Sequence, residues 1–404
     1  MTSQALALRP LVAIGLISYS LYLWHWPVLV FVKLYLVRPP TQTETLFAVA
    51  AAFILGWASW RFVERPFRTH RQSANSAPNR LRDGLLPDSK ILPSSLACIA
   101  LLATIGVALD NTDGAPSRLP DAIVKIAEVV DDKPPERKYC SNISATEVSF
   151  DRLCKLGSAD QRPDFLLWGD SHAMTLAPRF AEVALANARS GLSATNDGCA
   201  ALLNVYPINT DPDGECLQFN AAVLELIATQ PEIKTIVLAG RWAIYAESTR
   251  YKHESGKPVQ LAEGDIADTN ADTRSSRIWE RALLRTLRAL EQLNKTVVVI
   301  DSVPEVGWNT PHIIARSALL DRPVRIAPSV DEFLARQRHV IPVFSALEQR
   351  VLQPQKLLCE GASCQVAINN EPLYFDEDHL SSAGSKLLLP LVREALGQAP
   401  SSPE

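Results

Sequence analysis

Apolar positions along this chain fall into two regimes. Residues 1–110 carry three long apolar blocks, 11–32, 46–63 and 91–109. Each is close to the ~20 residues a helix needs to cross a ~30 Å hydrocarbon layer. Beyond residue 138 the pattern changes to short apolar runs alternating with segments of helical spacing. Residues 164–168 form an apolar run ending at Gly169, 172–189 have helical spacing, and 192–195 predict a second strand. A helix follows over 220–229, buried strands over 235–239 and 296–300, and an amphipathic helix over 277–293. A strand is expected at 339–344 and a closing helix at 383–396, while 246–275 reads as a polar excursion. Continuous apolar strands interleaved with helices predict an α/β fold whose parallel sheet is covered on both faces. Residues 111–138 are Pro-rich and charged, as expected of a linker.

The three blocks read as transmembrane helices. A signal peptide would be a single block followed by a small-residue cleavage site and a polar chain. Core helices would not crowd into one quarter of the sequence. Residues 61–90 hold Arg61, Arg65, Arg68, Arg71, Arg80, Arg82 and Lys90, whereas the loop between the first two blocks offers Lys33 and Arg38. The positive-inside rule puts 61–90 in the cytoplasm, so everything after about residue 110 is delivered outside. Tyr19, Tyr22, Trp24, Trp26, Trp57 and Trp60 suit the two interfacial belts. Cysteine usage agrees. Cys98 lies within the third block, and the other six fall on the expected outside. Pairing nearest neighbours gives Cys140–Cys154, Cys199–Cys216 and Cys359–Cys364, disulfides of an oxidising compartment. No C-x-x-C occurs and histidine is scarce near these cysteines, so no metal site is expected. The formal net charge of −4 leaves no electrostatic footprint for nucleic acid.

Two segments carry candidate chemistry. Trp168-Gly169-Asp170-Ser171-His172 follows the first buried strand and opens a helix. Open α/β sheets place reactive groups at that carboxyl edge. Backbone N–H groups at the helix start would sit beside the Ser171 hydroxyl and could hold an oxyanion. A plain N-cap reads equally well from this segment alone. Asp376-Glu377-Asp378-His379 precedes the last helix. A serine needs a base, and the base needs a partner that fixes its tautomer. Asp376 and His379, three residues apart, can be that pair, although acidic residues also favour a helix entry through the dipole. Together the two segments favour a Ser171–His379–Asp376 triad. A metal-dependent hydrolase is a further alternative, because Asp170, His172, Asp376, Asp378 and His379 could be gathered as ligands, and insensitivity to chelators would dismiss it.

With GDSH after the first strand and D-x-x-H before the last helix, residues 139–398 resemble the SGNH/GDSL superfamily of esterases and acyltransferases. The resemblance implies a three-layer α/β/α fold, with Ser171 as nucleophile, His379 as base and Asp376 as its orienter. It also implies an oxyanion hole built from Ser171 and from Gly198 in Asn196-Asp197-Gly198-Cys199. The superfamily's Asn of the third block is missing here, where Gly240-Arg241-Trp242 stands, so either backbone groups complete the hole, or Arg241 substitutes, or the chain is of a divergent branch. In the membrane part, Ile17-Ser18-Tyr19-Ser20-Leu21-Tyr22-Leu23-Trp24-His25-Trp26-Pro27 and Phe62-Val63-Glu64-Arg65-Pro66-Phe67-Arg68 resemble the C-terminal end of membrane-bound acyltransferase family 3. Residues 1–110 match that family's last two spans plus a connector helix.

These resemblances imply an O-acyltransferase, O-acetyl above all. It would modify a surface polysaccharide, lipopolysaccharide or peptidoglycan through an acyl-serine. A membrane-anchored esterase that deacetylates glycans is the alternative, and an inactive glycan-binding fragment is the third reading. The expected location is the bacterial inner membrane, multi-pass, with the C-terminal domain in the periplasm. No bound cofactor is expected. The donor would be acetyl-CoA, used through membrane spans that a separate chain supplies if the protein is split. His25 is not expected to replace the family's membrane histidine.

Overall fold

The computed structural model describes residues 9–36, 40–65, 88–264 and 274–398. The chain divides into two units, Met1–Asp121 and Ala122–Glu404. Most of the basic loop expected in the cytoplasm, including Arg68, Arg71, Arg80 and Arg82, lies outside the described residues.

In the first unit, helix α1 spans Arg9–Leu36 and α2 spans Gln42–Ser59. Thr41 starts α2 with a capping box closed by Glu44, which satisfies amides at the helix entry. Ala48, Ala52 and Gly56, four residues apart, form the buried stripe of α2. At Gly56 an added Cβ would lie 3.0 Å from the Leu21 Cα, so the two backbones approach as small-residue helix pairs do. Leu11–Leu36 and Gln42–Glu64 are long and apolar enough to cross a membrane, by length and composition. The third block differs from expectation. Helix α3 runs over Asp88–Asn111, but its N-terminal part holds Asp88, Ser89, Lys90, Pro93 and Ser94, and the apolar stretch Ser95–Asn111 is at the short end of the lengths that spans use. Two candidate spans are seen among the described residues.

The second unit is built on a six-stranded sheet of β1 (Cys154–Gly157), β2 (Phe165–Gly169), β3 (Ser190–Thr195), β4 (Thr235–Ala239), β5 (Thr296–Ile300) and β6 (Arg350–Leu352). The spatial order is β1-β3-β2-β4-β5-β6. β3, β2, β4, β5 and β6 are parallel, whereas β1 joins the β3 edge antiparallel, so the sheet is mixed rather than wholly parallel. Alternation along the strands splits the core. Leu166, Trp168, Leu192, Ile236, Leu238, Val297 and Val299 pack with the helices Glu215–Thr229 and Ser275–Gln292. The opposite face carries helix α4 (Ser171–Ala186), seen in the Phe165–Phe180 ring contact at 6.0 Å. Helices thus cover both faces.

Three local expectations change. Residues expected as a strand at 339–344 instead contain the helix Ile341–Ser345, entered through Pro342. The closing helix is two pieces, Ser382–Lys386 and Leu389–Ala395, broken where Pro390 has no N–H to give. Part of the expected linker is helical over Asp121–Glu128, with Ile123 and Ile126 buried.

The three disulfides are Cys140–Cys154, Cys199–Cys216 and Cys359–Cys364. Cys199–Cys216 closes a separation of 17 residues. By loop-closure entropy its removal should destabilise the domain by about 3 kcal/mol. We expect Cys199→Ala with Cys216→Ala to lower the unfolding midpoint clearly more than the Cys359/Cys364 double variant, whose separation is 5 residues. Equal midpoints would show that loop closure is not what this bridge contributes.

Candidate active site

Strand order brings the two motif segments together. The connection from β2 goes to β3 on one side, and the next one crosses to β4 on the other, so β2 ends at a topological switch point. Gly169 is required there by proximity: an added Cβ would lie 1.8 Å from the Ala239 carbonyl oxygen on β4. Asp170 is the N-cap of α4, its Oδ1 accepting from the His172 amide at 2.9 Å. Its Oδ2 accepts from the Arg241 amide at 2.9 Å and from the Tyr245 hydroxyl at 2.9 Å. Burial first, and the Asp170 charge next, push the Tyr245 phenol well above its ordinary range, so it stays protonated and donates. Capping is thus Asp170's task, and it leaves the Ser171 hydroxyl unengaged by the cap.

That hydroxyl lies 2.7 Å from His379 Nε2, and His379 Nδ1 lies 2.8 Å from Asp376 Oδ2. Asp376 Oδ1 accepts from the amides of Asp378 (3.0 Å) and His379 (2.8 Å), which fixes the turn. The Phe375 ring stacks on the imidazole, with centroids 5.2 Å apart and planes 3° from parallel. From the loop after β5, Val306 and Gly307 donate to the Glu377 carbonyl (3.0 and 2.9 Å) and Thr310 to that of Asp376 (3.2 Å). Ser171, His379 and Asp376 are therefore brought together as expected.

A second layer of charge was not foreseen. Asp378 Oδ2 receives His172 Nε2 at 2.9 Å and Arg241 Nη1 at 2.8 Å, and its Oδ1 is 3.4 Å from His379 Nδ1. Burial alone would raise the Asp378 carboxyl, but Arg241, His379 and His172 hold it well below the usual carboxylate range. For His379, burial disfavours the imidazolium, yet Asp378 and Asp376 outweigh it and raise the ring to about 9. Near neutrality the imidazole is then protonated and Nε2–H points at Ser171. A base must be neutral to accept a proton, so turnover of an acyl ester should rise by about tenfold per pH unit below the midpoint. The expected midpoint is about pH 9. A profile already flat at pH 7 would overturn that expectation.

Arg241 is not an oxyanion donor. Its amide is taken by Asp170 and its guanidinium by Glu254 (2.9 and 2.5 Å), Glu305 and Asp378. Gly198 stands differently. Its φ is +74°, a Cβ there would meet nothing within 4 Å, and the amides of Ser171 and Gly198 donate to no acceptor among the described residues. The Cys199–Cys216 bridge follows directly. Sequence reasoning missed Tyr245, Glu254, Glu305 and Arg336, whose spacing carries no periodic signal. His172 and Asp378 were visible inside the two motifs and were linked only as members of a possible metal-ligand set; ligand atoms of His172, Asp378 and His379 do lie within 4.8 Å of one another.

A family model described as an SGNH domain (fused to AT3 domains) matches residues 139–394. Among curated proteins, the O-acetyltransferase OatA of Staphylococcus aureus is 39% identical over 67 residues, 16% of this chain and 11% of that protein. The peptidoglycan O-acetyltransferase OatA of Listeria monocytogenes is 37% identical over 67 residues, with the same shares of 16% and 11%. The match therefore spans only a small part of those relatives. Among solved structures, the periplasmic domain of a lipopolysaccharide acetyltransferase from Salmonella ser. Paratyphi A superposes with a TM-score of 0.45 at 14% identity, covering 70% of this chain and 97% of that one. A putative acylhydrolase from Bacteroides fragilis gives a TM-score of 0.31 at 12% identity, over 61% and 91% of the two chains.

Proposed function

The chain belongs to the family of SGNH domains fused to AT3 domains, and from that premise we propose that it transfers an acyl group, acetyl first of all, to a hydroxyl of a cell-surface glycan. The observation that carries the reading is the continuous line Ser171 Oγ, His379 Nε2, His379 Nδ1, Asp376 Oδ2, with both links under 3 Å. In its neutral form His379 takes the Ser171 proton as Oγ attacks the acyl carbonyl. The Ser171 and Gly198 amides are the proposed donors to the oxyanion. Collapse expels the donor's leaving group, which takes the proton back from His379 and leaves an acyl-serine. A glycan hydroxyl then gives its proton to His379, attacks the ester carbon, and leaves O-acylated while Ser171 is restored. Asp376 keeps the imidazole in the tautomer both steps need and stabilises the imidazolium between them.

In this reading α1, α2 and the connector helix α3 anchor the domain, and the domain works outside the cytoplasm, in agreement with its disulfides. The donor is acetyl-CoA, used through acyltransferase-type membrane spans, and the acceptor is a polysaccharide, lipopolysaccharide or peptidoglycan sugar. The full chain in detergent micelles, given an activated acetyl ester and oligosaccharides of each class, should yield O-acetylated sugar faster than free acetate. Acetate alone, whatever the acceptor, would replace transfer by ester hydrolysis.

A further inference from the structure

We infer that Asp378 is a second carboxylate of the base, a positioning residue latched by His172 and Arg241 that keeps His379 in register with Ser171 and sets its charge. The inference rests on the triad reading above. Ser171 and His172 are adjacent at the start of α4, and Asp378 and His379 are adjacent on the facing turn. Two parallel bonds therefore tie the same two segments: Ser171 Oγ to His379 Nε2 at 2.7 Å and His172 Nε2 to Asp378 Oδ2 at 2.9 Å. The first must break and re-form during chemistry. The second need not, so it can hold the spacing while the first is used. The two imidazole centroids are 4.7 Å apart, and the Asp378 side chain is 6% exposed, which leaves the latch dry. A dry carboxylate needs full partnership. Arg241 and His172 supply it on Oδ2, and Oδ1 faces His379 Nδ1 at 3.4 Å.

The charges around His379 bear the same sense. Its own turn presents Asp376 and Asp378, with Glu377 between them in sequence, α4 presents His172, and the loop after β4 presents Arg241. Arg241 is itself shared with Glu254 and Glu305, and Lys133 lies over the Phe375 ring that stacks on the imidazole. Arg241 is thus divided among three carboxylates, while two carboxylates face the imidazole directly. His379 is accordingly raised to about 9, with Asp378 the largest favourable cause.

The test uses the full chain in detergent micelles, with histidines labelled at Cε1 and the His379 resonance followed by NMR. The wild-type midpoint should be about 9. In Asp378→Asn it should move acidward by about one to three pH units. The pH profile of activated-ester turnover should move with it, while the high-pH plateau falls. His172→Ala should lower kcat with little change in KM, and His172→Gln, which keeps a donor, should restore part of it. A wild-type midpoint in the ordinary histidine range, or an Asp378→Asn protein that loses rate without moving the midpoint, would overturn the inference. If Asp378→Asn does not fold, the wild-type midpoint and the His172 pair still decide. Should Ser171→Ala keep full ester turnover, the triad reading fails instead, and the NMR midpoints still report what Asp378 does to His379.

Discussion

Replacing Ser171 by Ala should abolish the acyl adduct and lower acyl-ester turnover by about 10⁴-fold or more, the loss seen when a triad nucleophile is removed. The expectation comes from geometry: among the described residues the Ser171 hydroxyl is the oxygen bonded to His379 Nε2, and it stands at the start of α4 beside its own amide, which donates to no described acceptor. Mass spectrometry after exposure to an activated acetyl ester should find one added acetyl group on wild type and none on Ser171→Ala. His379→Ala should lose most of the label, because the hydroxyl then has no base. Asp376→Asn should be milder, falling short of the ~10⁴-fold loss typical of the triad acid, since Asp378 still faces Nδ1 from 3.4 Å. Label that persists on Ser171→Ala would place the nucleophile elsewhere.

Legibility in the sequence followed local signal. Strands Thr235–Ala239 and Thr296–Ile300 keep their expected bounds because each is a continuous apolar run rich in Val and Ile, buried on both faces. The stretch 339–344 is also apolar and β-branched, but Pro342 suits the first turn of a helix, and packing against the core decided in its favour. Strands β1 and β6 gave no run to read: Lys155 and Arg350 are exposed, and each strand holds at most four residues. The Asp376–His379 pair was legible because three residues make one turn. Its link to Ser171 spans 208 positions and was read from the chemistry alone, since a serine nucleophile needs a base and the base a partner. The Arg241 cluster was invisible, because its members at 241, 254, 305, 336 and 378 meet only once the loops after β4 and β5 are folded against the last turn.

That cluster should also govern stability. The Glu305 side chain is 1% exposed and bridges two buried guanidiniums, Arg241 and Arg336. Arg336 also donates to the Thr249 hydroxyl (3.0 Å) and carbonyl (2.8 Å), and lies 5.5 Å over the Tyr251 ring. Removing one partner of a buried ion pair typically costs about 3–5 kcal/mol, because the surviving charge stays dry and unpaired. Glu305→Ala leaves Arg336 with no carboxylate partner among the described residues, while Arg241 keeps Glu254 and Asp378, so a loss of about that size is expected, against a total domain stability of about 5–15 kcal/mol. The exposed pair Arg350–Glu394 is the control, and Glu394→Ala should change stability by only about 0–1 kcal/mol. Denaturant titration followed by tryptophan fluorescence measures both, and an equal, small effect at the two sites would refute the expectation. The two roles of the cluster are coupled. Glu305 holds Arg241, Arg241 holds Asp378, and Asp378 stands beside His379, so Glu305→Ala protein that still folds should lose acyl turnover as well, by this chain of contacts.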